Sequence, residues 1–562
     1  MSLKNVLARR ALRRLTVRWP VLLVLSFATL LFAPPTLLAS EHDGGYASLV
    51  SLFSEWRELE SPPLLDGAPD YTEAGLERQR KGLLKLQERL RAIDPTSWPV
   101  EQQVDYHLVR AEMNGFDFNM RVLRPWARDP AFYASVWGYQ SDTPAHEGPT
   151  HHALIELWTY DFPLNEEAEA KLAGELATVA PLLAQARGNL TGNARELWQA
   201  GIGNLRDQAT ALETLLAWNQ GAGDVFKAQL KSALEATRSF VTWLEAEAPS
   251  KTGPSGIGKE NYSWYLQHVH LVPMTWEDEV RLLERELARA YTSLKLEEQR
   301  NRDLPPLVAI ASPEEYELRA NAAVDKYLEF LASRDILTMH DYMDPALRAR
   351  IGSFVPEEKR NFFRTAIHFE PMTLWTHFYH WWDLARMETN PHPSPIRRGP
   401  LLYNIFDSRA EGLSTGVEEM FMHAGLYDDN PRAREIVWIM LAQRAARGLG
   451  SLYVHANEFT MKEARDYHVR WTPRGWMRED LDLLGFEQLL YLRQPGYGTS
   501  YITGKYLIED LLRERSEQLG PDFTLKRFFA EVDDAGVIPV SLLRWQLTGQ
   551  GGDEVRRMSR AD

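Results

Sequence analysis

The sequence predicts an all-α protein of many helices, arranged as two helical subdomains around a cleft. Three observations support this. Apolar residues recur at helical spacing along most of the chain. Runs of alternating β-branched residues are scarce, leaving room for a short hairpin at most. The 562 residues are 44% hydrophobic and 25% charged, a globular balance, and the length suits two or three subdomains rather than one core.

The first forty residues form a unit of their own. Lys4, Arg9, Arg10, Arg13, Arg14 and Arg18 come with no acid, and the apolar run Val21–Ala33 follows. This is the layout of a secretory signal, with a membrane anchor as the alternative. Residues 1–40 are therefore expected to direct export to the periplasm or to an inner-membrane-anchored, periplasm-facing state, with extracellular release also open. Contact with a membrane is expected only through this segment.

Six of the 63 basic residues lie in that segment, leaving 57 against 78 acids, a net charge of −21. So acidic a body repels phosphate backbones, and nucleic acid is not an expected partner. The chain has no cysteine. Disulfides, thiolate metal sites, cysteine nucleophiles and an acylated lipoprotein cysteine are excluded, so any metal must sit on His, Asp, Glu or water. Eighteen tryptophans point to aromatic interiors or grooves.

Helical patterns follow in order. Residues 76–93 place leucines at 83, 84, 86 and 90; residues 165–190 and 224–248 behave alike. Residues 275–302 open with Thr275 and Asp278 at capping-box spacing. Residues 249–262 are rich in Gly, Pro and Ser and read as a loop without the pattern of a phosphate loop; 390–404 form a second, proline-rich loop. A soft boundary falls near 350. It separates an N-terminal helical region, 41–350, from a C-terminal one, 351–550, where His, Trp and acidic residues concentrate; 551–562 read as a flexible tail.

The stretch WTHFYHWWDLARME, Trp375–Glu388, carries the chemistry. On a helix, His377, His380 and Asp383 step by three and form one slanting stripe. Two imidazoles and a carboxylate can hold zinc or iron if further ligands come from elsewhere. The next helical pattern supplies Glu411 and Glu418, seven residues apart on one face. Successive helices pack antiparallel, aiming that face at the stripe. The bland alternative is a hydrogen-bonded histidine pair in an aromatic core.

Residues 410–467 resemble the bacterial "domain of unknown function 885" family. The carrying residues are Glu411-Gly412 through Glu418, Asp428-Asp429, Ala445-Ala446-Arg447, His455, and Thr460 with Ala464. Pro495, Gly496, Tyr501 and Gly504 resemble a later block, and GVIPVSLL a closing motif. The resemblance implies a helical, metallopeptidase-like scaffold holding one divalent ion, zinc first, and acting on a peptide or a small amide or ester. Its implied motif is His-Glu-x-x-Pro-Gly-His-His, with the Glu matching Glu411 as a further ligand.

This chain departs from that motif. His377 matches the first histidine, but Phe378 stands where the family has its general-base glutamate, Trp381-Trp382 replace Pro-Gly, and Asp383 replaces a histidine. The metal set is then His377 and Glu411 with His380 or Asp383. Glu418 is the candidate replacement base, Tyr501 the candidate oxyanion donor, and His455 a candidate for orienting substrate. Two functions follow: a divergent metal-dependent hydrolase, or an inactive relative binding peptides or envelope components through an aromatic cleft. The oligomeric state is not legible.

Overall fold

The computed structural model describes residues 45–138, 151–219, 221–403 and 407–559. The expected signal or anchor segment, 1–40, lies outside them. Among the described residues, no helix is long and apolar enough to cross a membrane.

The protein is all-α. The only described strands are two pairs of two-residue strands. β1 (Leu64–Leu65) and β2 (Ala68–Pro69) are antiparallel, and β3 (Val136–Trp137) and β4 (Ile155–Glu156) are parallel. The first pair turns through Asp66 and Gly67, both at positive φ, 53° and 88°. An Asp-Gly pair favours this two-residue hairpin turn.

Helix starts follow local chemistry. Thr72 caps Glu73–Ala92, accepting from the amide of Gly75. Thr275 and Asp278 form the expected reciprocal capping box of Trp276–Arg300, and Thr460 and Glu463 repeat it on Met461–Arg470. Leu83, Leu86 and Leu90 face the core, whereas Leu84 points outward, because it is one residue off the 3.6-residue stripe. Residues 165–190 divide into Glu166–Leu176 and Val179–Asn189. The tail does not simply fray: Gly552–Met558 is a helix, and its Val555 and Met558 bury against the core.

The larger core draws on residues from 49–118 and from 257–558, so members come from both sides of residue 350. A second core is built mainly by Glu166–Leu176, Val179–Asn189, Arg195–Trp218 and Asp224–Glu247. At the centre of the larger core lie three long helices: Asp407–His423 (the glutamate helix), Ala433–His455 (the arginine helix) and Tyr497–Leu519 (the tyrosine helix). Nearly every residue of the first two is buried, polar ones included. Buried charge on this scale requires partners.

Candidate metal centre

The histidine stretch is not one continuous helix. Met372–Trp375 leads into a tight turn, Thr376–Phe378, and Tyr379–Thr389 begins beyond it. His377 sits on the turn and His380 in the first turn of the following helix. Their rings stand edge to face, 5.2 Å apart. The hydroxyl of Ser414, on the glutamate helix, accepts from the backbone N–H of His380 at 3.2 Å and ties this segment down.

That contact brings Glu411 beneath the pair. His377, His380 and Glu411 each offer a ligand atom, and the three lie within 4.8 Å of one another. All three side chains are buried. Oε2 of Glu411 stands 3.3 Å from Nε2 of His377 but outside hydrogen-bond geometry. Oε1 accepts from the hydroxyl of Tyr497 at 2.8 Å. Burial alone would raise the Glu411 carboxyl, but the two imidazoles and Tyr497 hold it down to about 2.

The other edge of the His377 ring meets a second carboxylate. Its Nδ1 is 3.0 Å from Oε1 of Glu418. Both oxygens of Glu418 accept from Arg444, each at 2.7 Å. Burial and Arg444 favour a neutral His377, yet Glu411 and Glu418 outweigh them and raise its pKa. Nη2 of Arg444 also donates to this Nδ1 at 3.1 Å, so Nδ1 is the accepting nitrogen of the neutral ring.

Tyr501 forms the wall of the site. Its ring stacks on that of His377, 6.0 Å between centroids and 15° between planes. The guanidinium of Arg447 lies 4.0 Å from the centre of the same ring. Arg447 also donates to Glu487.

Two candidates are placed differently. Asp383 is buried, but Arg409 donates to both its oxygens at 3.1 Å, and the same arginine reaches Asp533 at 3.3 Å. It belongs to that ion pair rather than to the His377–His380–Glu411 group. His455, buried at the end of the arginine helix, has its Nε2 2.9 Å from the carbonyl of Tyr491 and packs on Tyr262. Burial lowers its pKa to about 4. Phe378 is half-buried beside Trp375. Trp382 stacks on Tyr327 and donates to the carbonyl of Met343; Trp381 lies under Arg350.

Sequence reasoning missed Arg444 and Tyr497. Tyr497 lies four residues before Tyr501, and Arg444 three before Arg447, so each shares a face with a residue that was singled out. That spacing was the available signal.

Comparison places the chain in a family. The chain matches the family described as "Bacterial protein of unknown function (DUF885)" over residues 64–344 and 380–547. Glu411, Gly412, Glu418, His455, Tyr501 and Gly504 lie inside the match, and His377 lies in the unmatched interval. Two solved structures share the fold. One is a "putative lipoprotein of unknown function" from Shewanella oneidensis, 16% identical with a TM-score of 0.67, covering 89% of this chain and 99% of that one. The other is a "putative lipoprotein" from Colwellia psychrerythraea, 13% identical with a TM-score of 0.59, covering 90% and 99%. No curated protein matches the chain. With the match spanning most of its length, this chain belongs to the bacterial DUF885 family of unknown function.

Proposed function

We propose that this chain is an exported, metal-dependent hydrolase of peptide-like amides or esters, with His377, His380 and Glu411 as the metal ligands. The convergence of those three ligand atoms within 4.8 Å carries the reading. Two imidazoles and one carboxylate, with a further position open, is the donor set of catalytic zinc. The set fits for a second reason: Oε2 of Glu411 is buried with no hydrogen-bond partner among the described residues. Bringing the atoms to a common ion needs separations of roughly 3.4 Å, given bond lengths near 2.1 Å, a small adjustment of side chains already in place.

A divalent ion held there would act as a Lewis acid and lower the pKa of a bound water. The chain's own residues prepare the site. Glu418 and Arg444 fix the ring of His377 from its Nδ1 edge. Tyr497 fixes the carboxylate of Glu411. Tyr501 presents a phenol along the stacked ring of His377, suited to donate to a developing oxyanion. Glu418 meets the far edge of His377 with both oxygens held by Arg444, so we assign it to positioning rather than to taking a proton from water. Export rests on the basic and apolar layout of residues 1–33, and the description of the two structural neighbours as lipoproteins supports an envelope location. With no cysteine, this chain carries no acylation site of its own.

A second reading keeps the cleft without the chemistry. Phe378 favours it, standing where a general-base glutamate is implied; losing such a group costs about 10²–10⁴-fold in rate. The chain would then bind peptides or envelope components against its aromatic walls.

Metal content, measured by plasma mass spectrometry on full-length protein purified without chelator, separates these outcomes. The control is a His377→Ala, Glu411→Ala double variant. The hydrolase reading expects roughly one equivalent in the parent, little in the variant, and cleavage of peptide or ester probes that the double variant lacks. Metal without cleavage supports the second reading. No uptake in either protein after incubation with zinc, manganese or iron overturns the metal assignment.

A further inference from the structure

The chain between Tyr379–Thr389, which carries His380, and Asp407–His423, which carries Glu411, includes a strap, residues 394–403, laid over the helix Val100–Phe118. Its first end is firmly fixed. Arg397 is buried, donates through Nε to the buried Asp105 at 2.6 Å, and reaches the carbonyls of Glu101 at 2.7 Å and Ala535 at 2.9 Å. Its second end rests on one carboxyl. Both oxygens of Glu112 accept from the amide of Leu402, at 3.1 and 3.0 Å, and one also accepts from that of Tyr403 at 3.2 Å. The Tyr403 side chain sits where a Cβ on Gly115 would stand 2.5 Å from it. Glu112 is fully buried, and among the described residues it makes no ion pair. Arg398 and Pro400, between the two ends, are exposed, so the strap lies at the surface with Glu112 beneath it.

A buried carboxylate without a cation is costly, and the cost falls if it keeps its proton or reaches water. Reaching water here means lifting Leu402 and Tyr403, whose amides are its partners. Burial pushes the carboxyl up to about 7 against the pull of those amides and of Arg57. Other titratable groups face it from each packed element. Glu60, beside Arg57 on Tyr46–Glu60, raises it further. Tyr403 of the strap and Tyr265 of Lys259–His268 are phenols that burial and the charge of Glu112 keep protonated. Tyr71 bears on Tyr403, and Asp407 of the glutamate helix on Tyr265. His152 reaches Glu60 at 2.9 Å and is the rival titrating group. We propose that the second end of the strap is a pH-sensitive latch, closed over Glu112 in mild acid and released as pH rises past neutral. The closed strap holds a proton that the released strap, with Glu112 in water, gives up near pH 4.5, so rising pH favours release. Release frees the segment that leads into Glu411. The latch itself does not depend on a metal at that residue.

Hydrogen exchange of the full chain between pH 5.5 and pH 8, read at single amides by electron-transfer fragmentation and corrected for intrinsic exchange, tests this. The opening constants of the Leu402 and Tyr403 amides should rise about tenfold or more across that range. That of Arg397, whose amide donates to the carbonyl of Ser394 at 3.2 Å, should change by less than about threefold. Glu112→Gln should remove the pH dependence, and His152→Gln should leave it in place. Flat opening constants at Leu402 and Tyr403 in the unaltered protein overturn the proposal, and that measurement needs no variant to fold. An equal rise at Arg397 would show the chain opening as a whole. A dependence kept in Glu112→Gln, or lost in His152→Gln, would put the titrating group elsewhere. Each of these outcomes overturns the latch.

Discussion

Gly412 and Gly504 touch backbone to backbone where the glutamate helix crosses the tyrosine helix. A Cβ on Gly412 would stand 2.4 Å from the Cα of Gly504, and one on Gly504 would stand 2.0 Å from the carbonyl oxygen of Ser408. This crossing sets Glu411 against Tyr497 and places Tyr501 on the ring of His377.

Glycine inside a helix ordinarily costs about 1 kcal/mol relative to alanine. Here the sign should reverse, because the new methyl meets backbone that cannot swing aside. Gly504→Ala should lower stability by about 1–3 kcal/mol, the usual cost of overpacking. Thermal unfolding checks it, and a melting temperature equal to or above the parent's would refute the close-crossing account.

Asp383 and His380 should separate cleanly. Asp383 is held by Arg409 through both oxygens, so Asp383→Asn weakens a buried ion pair. We expect a loss of about 1–3 kcal/mol in urea denaturation with metal content unchanged. His380→Ala should do the opposite, lowering metal content with a smaller loss of stability. Loss of metal in Asp383→Asn would put that carboxylate back among the ligands.

Arg444 should be costly to remove alone. Glu418 is 2% exposed and, among the described residues, would keep His377 as its one ion-pair partner. Breaking a buried pair from one side costs about 3–5 kcal/mol. Arg444→Met with Glu418→Met should cost less than Arg444→Met alone, since no charge is stranded. A double variant worse than the single one would show that the pair stabilises beyond mutual compensation.

Glu279 should make stability fall with rising pH. It is fully buried, accepting from Tyr262 at 3.0 Å and from Thr503 at 2.7 Å. Burial raises its pKa from 4.5 to about 7, against the hydrogen bonds that lower it. Between those values the folded chain holds a proton that the unfolded chain releases. The penalty is absent below about pH 4.5, grows as pH rises, and is complete above about pH 7. Glu279→Gln mimics the protonated form and should gain on the parent across that interval, by about 3 kcal/mol at most. Denaturation at pH 5 and pH 8 measures it; a difference independent of pH would exclude ionisation of Glu279 as the cause.

Much of the fold was legible locally. Helical period, the Thr275–Asp278 box and the scarcity of strands are short-range features, and short-range backbone chemistry settles them. The Asp66-Gly67 hairpin was equally readable, since only that turn welcomes two residues at positive φ, although the hairpin had been expected without a position. The His-x-x-His spacing survived a break in the helix, and the seven-residue step from Glu411 to Glu418 runs along an unbroken one. The turn at 376–378 replaces the continuous helix expected there, yet still leaves the two rings 5.2 Å apart.

By itself the sequence determined which side chains are close along one helix, because helical geometry makes residues three and four apart neighbours whatever surrounds them. Only the tertiary structure decided which buried charge meets which. Asp383 went to Arg409, Glu418 to Arg444, Glu419 to Arg289 and Lys505, and Glu411 to Tyr497 and the histidines. Those pairings depend on how helices far apart in the chain are rotated and crossed, and two glycines set the closest of those crossings. A buried carboxylate takes the cation or donor that the packing brings within reach, and residue spacing holds no record of that choice.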